Sequence, residues 1–145
     1  MTTAKDLSKE APASPRNRIR GYAILSRMAD KCRAEQAGTI GEYHFDCPID
    51  KALFDFKRVK VEDVKEVIAG GATDMEVAGW FDSHGASKAT SDITNFSDKM
   101  EKMMPFEDPE KKEWFVGVCK EVGINPEVSS LFDYLEADDK KSFPA

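Results

Sequence analysis

Helix start and stop signals divide most of this chain into short segments whose apolar residues recur every three or four positions. Thr73 and Glu76 have the spacing of a capping box, which predicts a helix that runs to about Ser83. Further start or stop signals lie at Gly70-Gly71, at Asp-Pro-Glu in 108–110, at Gly123 and at Asn-Pro-Glu in 125–127. Because no second period-two segment offers a partner strand, we expect an all-α fold, a small single-domain multi-helix bundle.

The first main helix is predicted from about Arg20 to Ala37, where Tyr22 and Leu25 begin the apolar stripe. Residues 1–15 are expected to form a loosely structured arm, because two prolines remove backbone donors and favour extended backbone. We therefore expect an N-terminal arm at 1–15 and a single helical domain at 16–145.

Residues 39–48, TIGEYHFDCP, alternate polar and apolar side chains instead of following a helical period. A lone strand would lack a partner, so we predict one extended, half-buried loop here, followed by a short helix at about 49–56. Period two assigns one side of the loop to Glu42, His44 and Asp46 and the other side to Tyr43, Phe45 and Cys47.

Basic residues are concentrated near the front of an otherwise acidic chain. The first 33 residues hold eight Lys and Arg against three Asp and Glu, whereas the whole chain has a net charge of −6. Arginine predominates here, and its planar fork suits recognition of carboxylate or phosphate groups. The alternative is a solvent-exposed basic surface that forms ion pairs with the acidic C-terminal half of the chain. The basic cluster consists of Arg16, Arg18, Arg20, Arg27, Lys31 and Arg33.

We predict that the arm, the first helix and the 39–48 loop converge on one polar pocket. Asp30 lies three residues from both Arg27 and Arg33, so it is placed to orient either guanidinium. An imidazole is the side-chain type best suited to proton transfer near neutral pH, so His44 and Glu42 are the candidate acid–base residues. The predicted ligand-binding residues are Arg16, Arg18, Arg27, Arg33, Asp30, Tyr22, Tyr43 and Cys47.

Composition argues against several classes of protein. Two histidines and three widely separated cysteines give no spacing for a metal site, and no cofactor motif is present. The acidic balance argues against broad nucleic-acid binding, and no apolar run approaches the length of a membrane span. An odd cysteine count without paired spacing and the absence of a secretory signal favour a cytoplasmic protein with reduced thiols.

Several short motifs in residues 5–50 form a specific pattern: Ser14-Pro15-Arg16, Gly21-Tyr22, Asp30-Lys31, Gly41-Glu42-Tyr43 and Cys47-Pro48. With them, nearly the whole chain resembles a bacterial family known as domain of unknown function 5069. That family has Leu-Gly-Gly-Tyr where this chain has Ile19-Arg20-Gly21-Tyr22, so Arg20 is less secure as a site residue than Arg16, Arg18 or Arg27. The resemblance implies a small, soluble, mostly helical bacterial protein, and it implies no activity.

Three functions remain open from the sequence. The first is a binding module whose Arg-rich pocket holds a small anionic ligand or an acidic protein segment. The second is a small cofactor-free enzyme that acts on an anionic molecule through His44 and Glu42. The third is a structural or assembly protein, for which exposed apolar faces on such short helices would predict a homodimer.

Overall fold

Helices and loops make up the part of the chain that the structure describes, and this confirms the all-α class. The structure is a computed structural model in which residues 3–144 are described, and within that range the only β pairing is an isolated bridge between Ile19 and Tyr22. None of the helices in residues 3–144 has the length and apolar character needed to cross a bilayer. The helices are α1 Leu25–Ala37, α2 Pro48–Lys57, α3 Val61–Ala69, α4 Asp74–Ser83, α5 Thr90–Glu101, a 3-10 helix Pro105–Glu107, α6 Lys112–Val122 and α7 Leu131–Ser142.

The chain divides into two compact units, of which the first ends at Ser97 and the second begins at Asp98. In the first unit α1 packs against α2, α3 and α4, so it is the central element of that unit. In the second unit α6 packs against α7 and the 3-10 helix, and Phe115 contacts Tyr134 edge-to-face. The division into an arm at 1–15 and one domain at 16–145 stays a prediction.

Helix α1 begins at Leu25, five residues later than the sequence predicts. Before it the chain turns: Ile19 and Tyr22 exchange backbone hydrogen bonds of 3.1 and 3.0 Å, and Gly21 has a φ of +87°. The hydroxyl of Ser97 holds this turn, since it donates to the Gly21 carbonyl at 2.6 Å and accepts from the amide of Ala23 at 2.9 Å. The predicted helix start at Arg20 is therefore wrong, because Arg20 lies in the turn.

Sequence signals for helix ends are confirmed where the cap is a local motif. Thr73 and Glu76 form the predicted capping box, with both reciprocal hydrogen bonds present. The helix starts predicted at Asp-Pro-Glu in 108–110 and at Asn-Pro-Glu in 125–127 are wrong. Asp108 and Asn125 lie in turns, where each side chain accepts a hydrogen bond from the backbone amide two residues later. The last helix starts at a different capping box, formed by Ser130 and Asp133.

The N-terminal arm contains no helix in its described residues, yet it is packed instead of loose. Leu7 is only 1% exposed, and its amide donates to the carbonyl of Thr39 at 2.8 Å. Pro12 and Pro15 are also buried. The arm therefore contributes apolar surface to the first unit and covers the end of α1.

A glycine at the end of α4 is required by a close backbone approach. Gly85 has a φ of +68°, and a Cβ added to it would collide with the carbonyl oxygen of Lys57. Gly38, at the end of α1, has a similar φ of +75°, but apart from its chain neighbours no atom of the described residues lies within 4 Å of such a Cβ. A side chain at Gly38 would therefore cause backbone strain alone, whereas a side chain at Gly85 would cause backbone strain and a steric collision.

We predict that Gly38→Ala lowers the free energy of unfolding by about 1–2 kcal/mol, the cost of left-handed backbone for a residue with a Cβ. Gly85→Ala should cost roughly 1–3 kcal/mol more, because the added methyl group also forces the backbone apart. Urea unfolding of the two variants measures the difference. Equal losses would show that the close approach of the Lys57 carbonyl to Gly85 is not maintained in solution.

Candidate functional site

Four charged residues of α1 are buried in the interior of the first unit. Arg27 is 3% exposed, Asp30 6%, Lys31 3% and Arg33 7%. Charged side chains are seldom this enclosed unless a partner of opposite charge compensates for the lost hydration. Half of the basic cluster predicted from the sequence, namely Arg27, Lys31 and Arg33, is therefore internal.

Arg33 joins α1 to the start of α4 through two carboxylates. Its terminal nitrogens lie 3.3 Å from Oδ1 of Asp30 and 2.7 Å from Oδ1 of Asp74, and one of them also donates to the carbonyl of Ala72 at 3.2 Å. The second oxygen of Asp74 accepts from the hydroxyl of Ser26 at 2.7 Å. A single guanidinium thus ties two helices together with charge-assisted hydrogen bonds.

Lys31 forms a second buried ion pair, with Asp50 on the first turn of α2. The Lys31 Nζ lies 2.9 Å from Oδ2 of Asp50, and both side chains are nearly inaccessible to solvent. The same nitrogen lies 3.2 Å from Sγ of Cys47, the residue that precedes α2. Oδ2 of Asp50 also accepts from the amide of Asp46 at 3.0 Å, so the pair anchors the end of the 39–48 loop.

Arg27 and Asp30 bind the N-terminal arm to α1 through hydrogen bonds and an ion pair. Asp30 accepts from the amide of Ala13 at 2.8 Å and pairs with Lys5 at 3.0 Å, while Arg27 donates to the carbonyl of Ala13 at 3.4 Å. The guanidinium carbon of Arg27 also lies 5.5 Å from the ring centroid of Tyr43. A single residue pair on α1 therefore reaches both the arm and the loop.

The structure brings some predicted site residues together and separates others. Asp30 contacts Arg33, Arg27 contacts Tyr43, and Cys47 contacts Lys31. Arg16 and Arg18 are half-buried in the segment before α1. Glu42 and His44 are exposed, whereas their neighbours Tyr43, Phe45 and Cys47 are half-buried. The acid–base role of Glu42 and His44 stays a prediction.

Tyr22 lies in a different place, beside a polar cleft that the sequence does not reveal. Its hydroxyl donates to Oδ1 of Asp82 at 2.8 Å, and Nε of Arg20 lies 2.6 Å from Oδ2 of the same carboxylate. Burial and the hydrogen bond to Asp82 raise the pKa of Tyr22 well above its usual range, so the phenol remains a donor. The cleft has a volume of about 360 Å³ and is lined by Arg20, Asp82, Lys88, Thr90 and Ile93.

No local signal in the sequence points to this cleft. Lys88 and Thr90 are ordinary surface residue types within a polar stretch before α5, and Asp82 is one acid among many. They meet Arg20 only because the turn before α1 directs that side chain toward the end of α4. The sequence indicates this cleft only through Arg20, which belongs to the basic cluster.

Lys57, at the end of α2, lies close to the same region. It is 1% exposed, and its ammonium group donates a short hydrogen bond to the carbonyl of Ala86. Burial lowers the pKa of Lys57, Asp82 opposes that shift, and Lys88 adds to it. Lys57 thus holds the 85–86 turn in place from inside the fold.

A family model matches residues 9–141, and its description is domain of unknown function (DUF5069). The chain belongs to this family. The match covers the arm from Lys9 onward, all seven α-helices except the last residue of α7, and the cleft. No curated protein matches the chain. The resemblance inferred from the motifs is thereby confirmed, and membership in DUF5069 assigns no activity.

We predict that Lys31→Met lowers the free energy of unfolding by about 3–5 kcal/mol, because it leaves the carboxylate of Asp50 buried without its counter-charge. Lys31→Met with Asp50→Asn should lose less than Lys31→Met alone, since the uncompensated charge is gone. Urea unfolding measures both. The control is Lys51→Met, which breaks the exposed pair with Asp46, 2.7 Å apart, and should cost about 0–1 kcal/mol. A Lys31→Met loss as small as the control's would contradict a buried pair.

A second prediction concerns pH. Because the folded pKa of Lys57 is lowered, the unfolded chain binds more protons than the folded chain, and stability contributed at this site rises with pH. The unfolding free energy of the native chain relative to Lys57→Met should therefore rise as pH increases toward about 10.4, the ordinary value for lysine. Denaturant unfolding of both proteins from pH 7 to 10 tests this. A difference that stays constant would show that Lys57 is not desolvated.

Proposed function

We propose that this chain binds a small anion in the cleft between the Ile19–Tyr22 turn and the start of α5. The observation that carries the proposal is the cleft itself, where Arg20 and Lys88 face one carboxylate, Asp82. Among the residues that line the cleft, two cations against one anion give an excess of positive charge in a chain whose net charge is −6. An anion is the ligand that such an excess attracts.

Asp82 orients Arg20 without occupying its whole guanidinium. One carboxylate oxygen accepts a hydrogen bond from Nε of Arg20 at 2.6 Å, and the other oxygen accepts one from the hydroxyl of Tyr22. The terminal nitrogens of Arg20 can then face a ligand, and the side chain is 49% exposed. A guanidinium fixed in this way binds an oxyanion with less loss of side-chain entropy.

The start of α5 supplies a second set of donors. Thr90 is the first residue of this 12-residue helix, so its hydroxyl and the first backbone amides lie at the positive end of the helix dipole. Lys88 approaches from the preceding segment, and its Nζ lies 4.7 Å from the ring centroid of Phe56. Donors from three directions suit a tetrahedral or carboxylate anion.

Size and chemistry favour a small molecule over an acidic protein segment. A volume of about 360 Å³ is at the low end of small-molecule sites. Arg20, Asp82, Lys88, Thr90 and Ile93 supply neither an imidazole nor a thiol, and His44 and Glu42 are not among them. These features support reversible binding, and they do not favour the acid–base alternative.

The test is a titration of the native chain with inorganic phosphate and with malonate, followed by the backbone amide resonances of Thr90 and Ser91. We predict saturable shifts that Arg20→Gln with Lys88→Gln weakens at least about tenfold, because each lost charged hydrogen bond is worth about 1.5–3 kcal/mol. The control, Lys51→Gln with Lys60→Gln, removes the same charge from positions outside the cleft and should bind as the native chain does.

Two outcomes would contradict the proposal. One is that neither anion shifts these amides in a saturable way. The other is that the control variant loses as much affinity as the cleft variant. The loss of affinity would then come from the change in net charge and not from the cleft.

A further inference from the structure

Cys47 has surroundings that differ from those of the other two cysteines. It is half-buried, whereas the other two are buried, and it occupies the N-cap position of α2, where the helix dipole is positive. The Nζ of Lys31 lies 3.2 Å from its sulfur. A neighbouring ammonium group and a helix N-terminus are the surroundings in which reactive cysteines are found.

The carboxylate beside this pair has an unfilled hydrogen-bonding position. Asp50 is completely buried, and while Oδ2 binds Lys31 and the amide of Asp46, Oδ1 has no hydrogen-bond partner among residues 3–144. Leaving a buried acceptor unsatisfied costs about 1–3 kcal/mol. Asp50 lies on the first turn of α2, Cys47 is the N-cap residue before it, and both contact Lys31, so a new O–H group on the Cys47 sulfur would be a donor close to this carboxylate.

Cys32 and Cys119 lack these features. Both are completely buried, and burial raises the pKa of Cys119 and raises that of Cys32 to about 12. Thiols enclosed in this way stay protonated and unreactive. The chain thus has an internal comparison between one accessible thiol beside a cation and two enclosed thiols.

We infer that Cys47 is a site of reversible oxidation by hydrogen peroxide or a small alkyl hydroperoxide, and that Lys31 and Asp50 hold the resulting sulfenic acid. The thiol first releases its proton to solvent, and the sulfur attacks one peroxide oxygen. The S–O bond forms as the O–O bond breaks, and the leaving hydroxide or alkoxide takes up a proton to depart as water or alcohol. Sulfur loses two electrons and the peroxide gains them.

The product should persist as a sulfenic acid in the absence of added thiol. A sulfenic acid is ordinarily removed by condensation with a second thiol. The other cysteines of the chain, Cys32 and Cys119, are both completely buried. A small thiol from solution can still reach the half-buried Cys47 and restore it. The site therefore suits a modification that is reversed by an external reductant.

The experiment treats the full-length chain with hydrogen peroxide in the presence of dimedone, which traps sulfenic acids, and maps the adducts by peptide mass spectrometry. We expect trapping at Cys47 at least about tenfold faster than at Cys32 or Cys119. In urea-unfolded chain the three rates should become similar, because the fold creates the difference. Cys47→Ser should leave only the slow trapping at Cys32 and Cys119 in the folded protein.

Lys31→Met with Asp50→Asn tests the role of the neighbours while avoiding an uncompensated buried charge. We expect trapping at Cys47 to slow several-fold in this variant, with circular dichroism confirming that it is folded. Equal rates at the three cysteines of the folded native chain would overturn the inference. Unchanged trapping at Cys47 in the folded double variant would overturn the assignment to Lys31 and Asp50.

Discussion

The first unit depends on carboxylates that neutralise the buried cations of α1. Asp50 and Asp74 come from two neighbouring helices and meet Lys31 and Arg33 at 2.9 and 2.7 Å. Burying these charges is tolerated only because each ion meets an opposite charge and further hydrogen bonds. Since the geometry of such pairs is strict, they fix how α2 and α4 approach α1 more sharply than apolar packing alone would.

The buried ion pairs show that part of the basic cluster holds the first unit together. Arginines near the amino end do point inward, as an anion pocket requires, but Arg33 binds internal carboxylates and Arg27 holds the arm at Ala13. Arg20, which leaves the cluster through the turn before α1, faces a cleft instead. The proposed binding site therefore lies at the edge of the cluster, beside Tyr22.

Local signals are sufficient to predict most helices, because caps and glycine stops act over a few residues. The start of α1 is not predictable in this way, since Ser97, far away in sequence, holds the preceding turn. The same limit applies to the site. The sequence indicates that Asp30 contacts Arg33, three residues away on one helix, but it cannot select Asp50 or Asp74 among so many acids.

The most direct test of the buried network is native-state hydrogen exchange of the arm in Asp30→Leu, a change that keeps the approximate side-chain shape but removes the charge. Asp30 accepts from the amide of Ala13, and Leu7 lies in the same arm. We expect the amides of Ala13 and Leu7 to exchange much faster in the variant, while the amides of α3 keep their protection. Unchanged protection of the arm would show that the carboxylate does not hold it, and would contradict a first unit organised by the buried charges of α1.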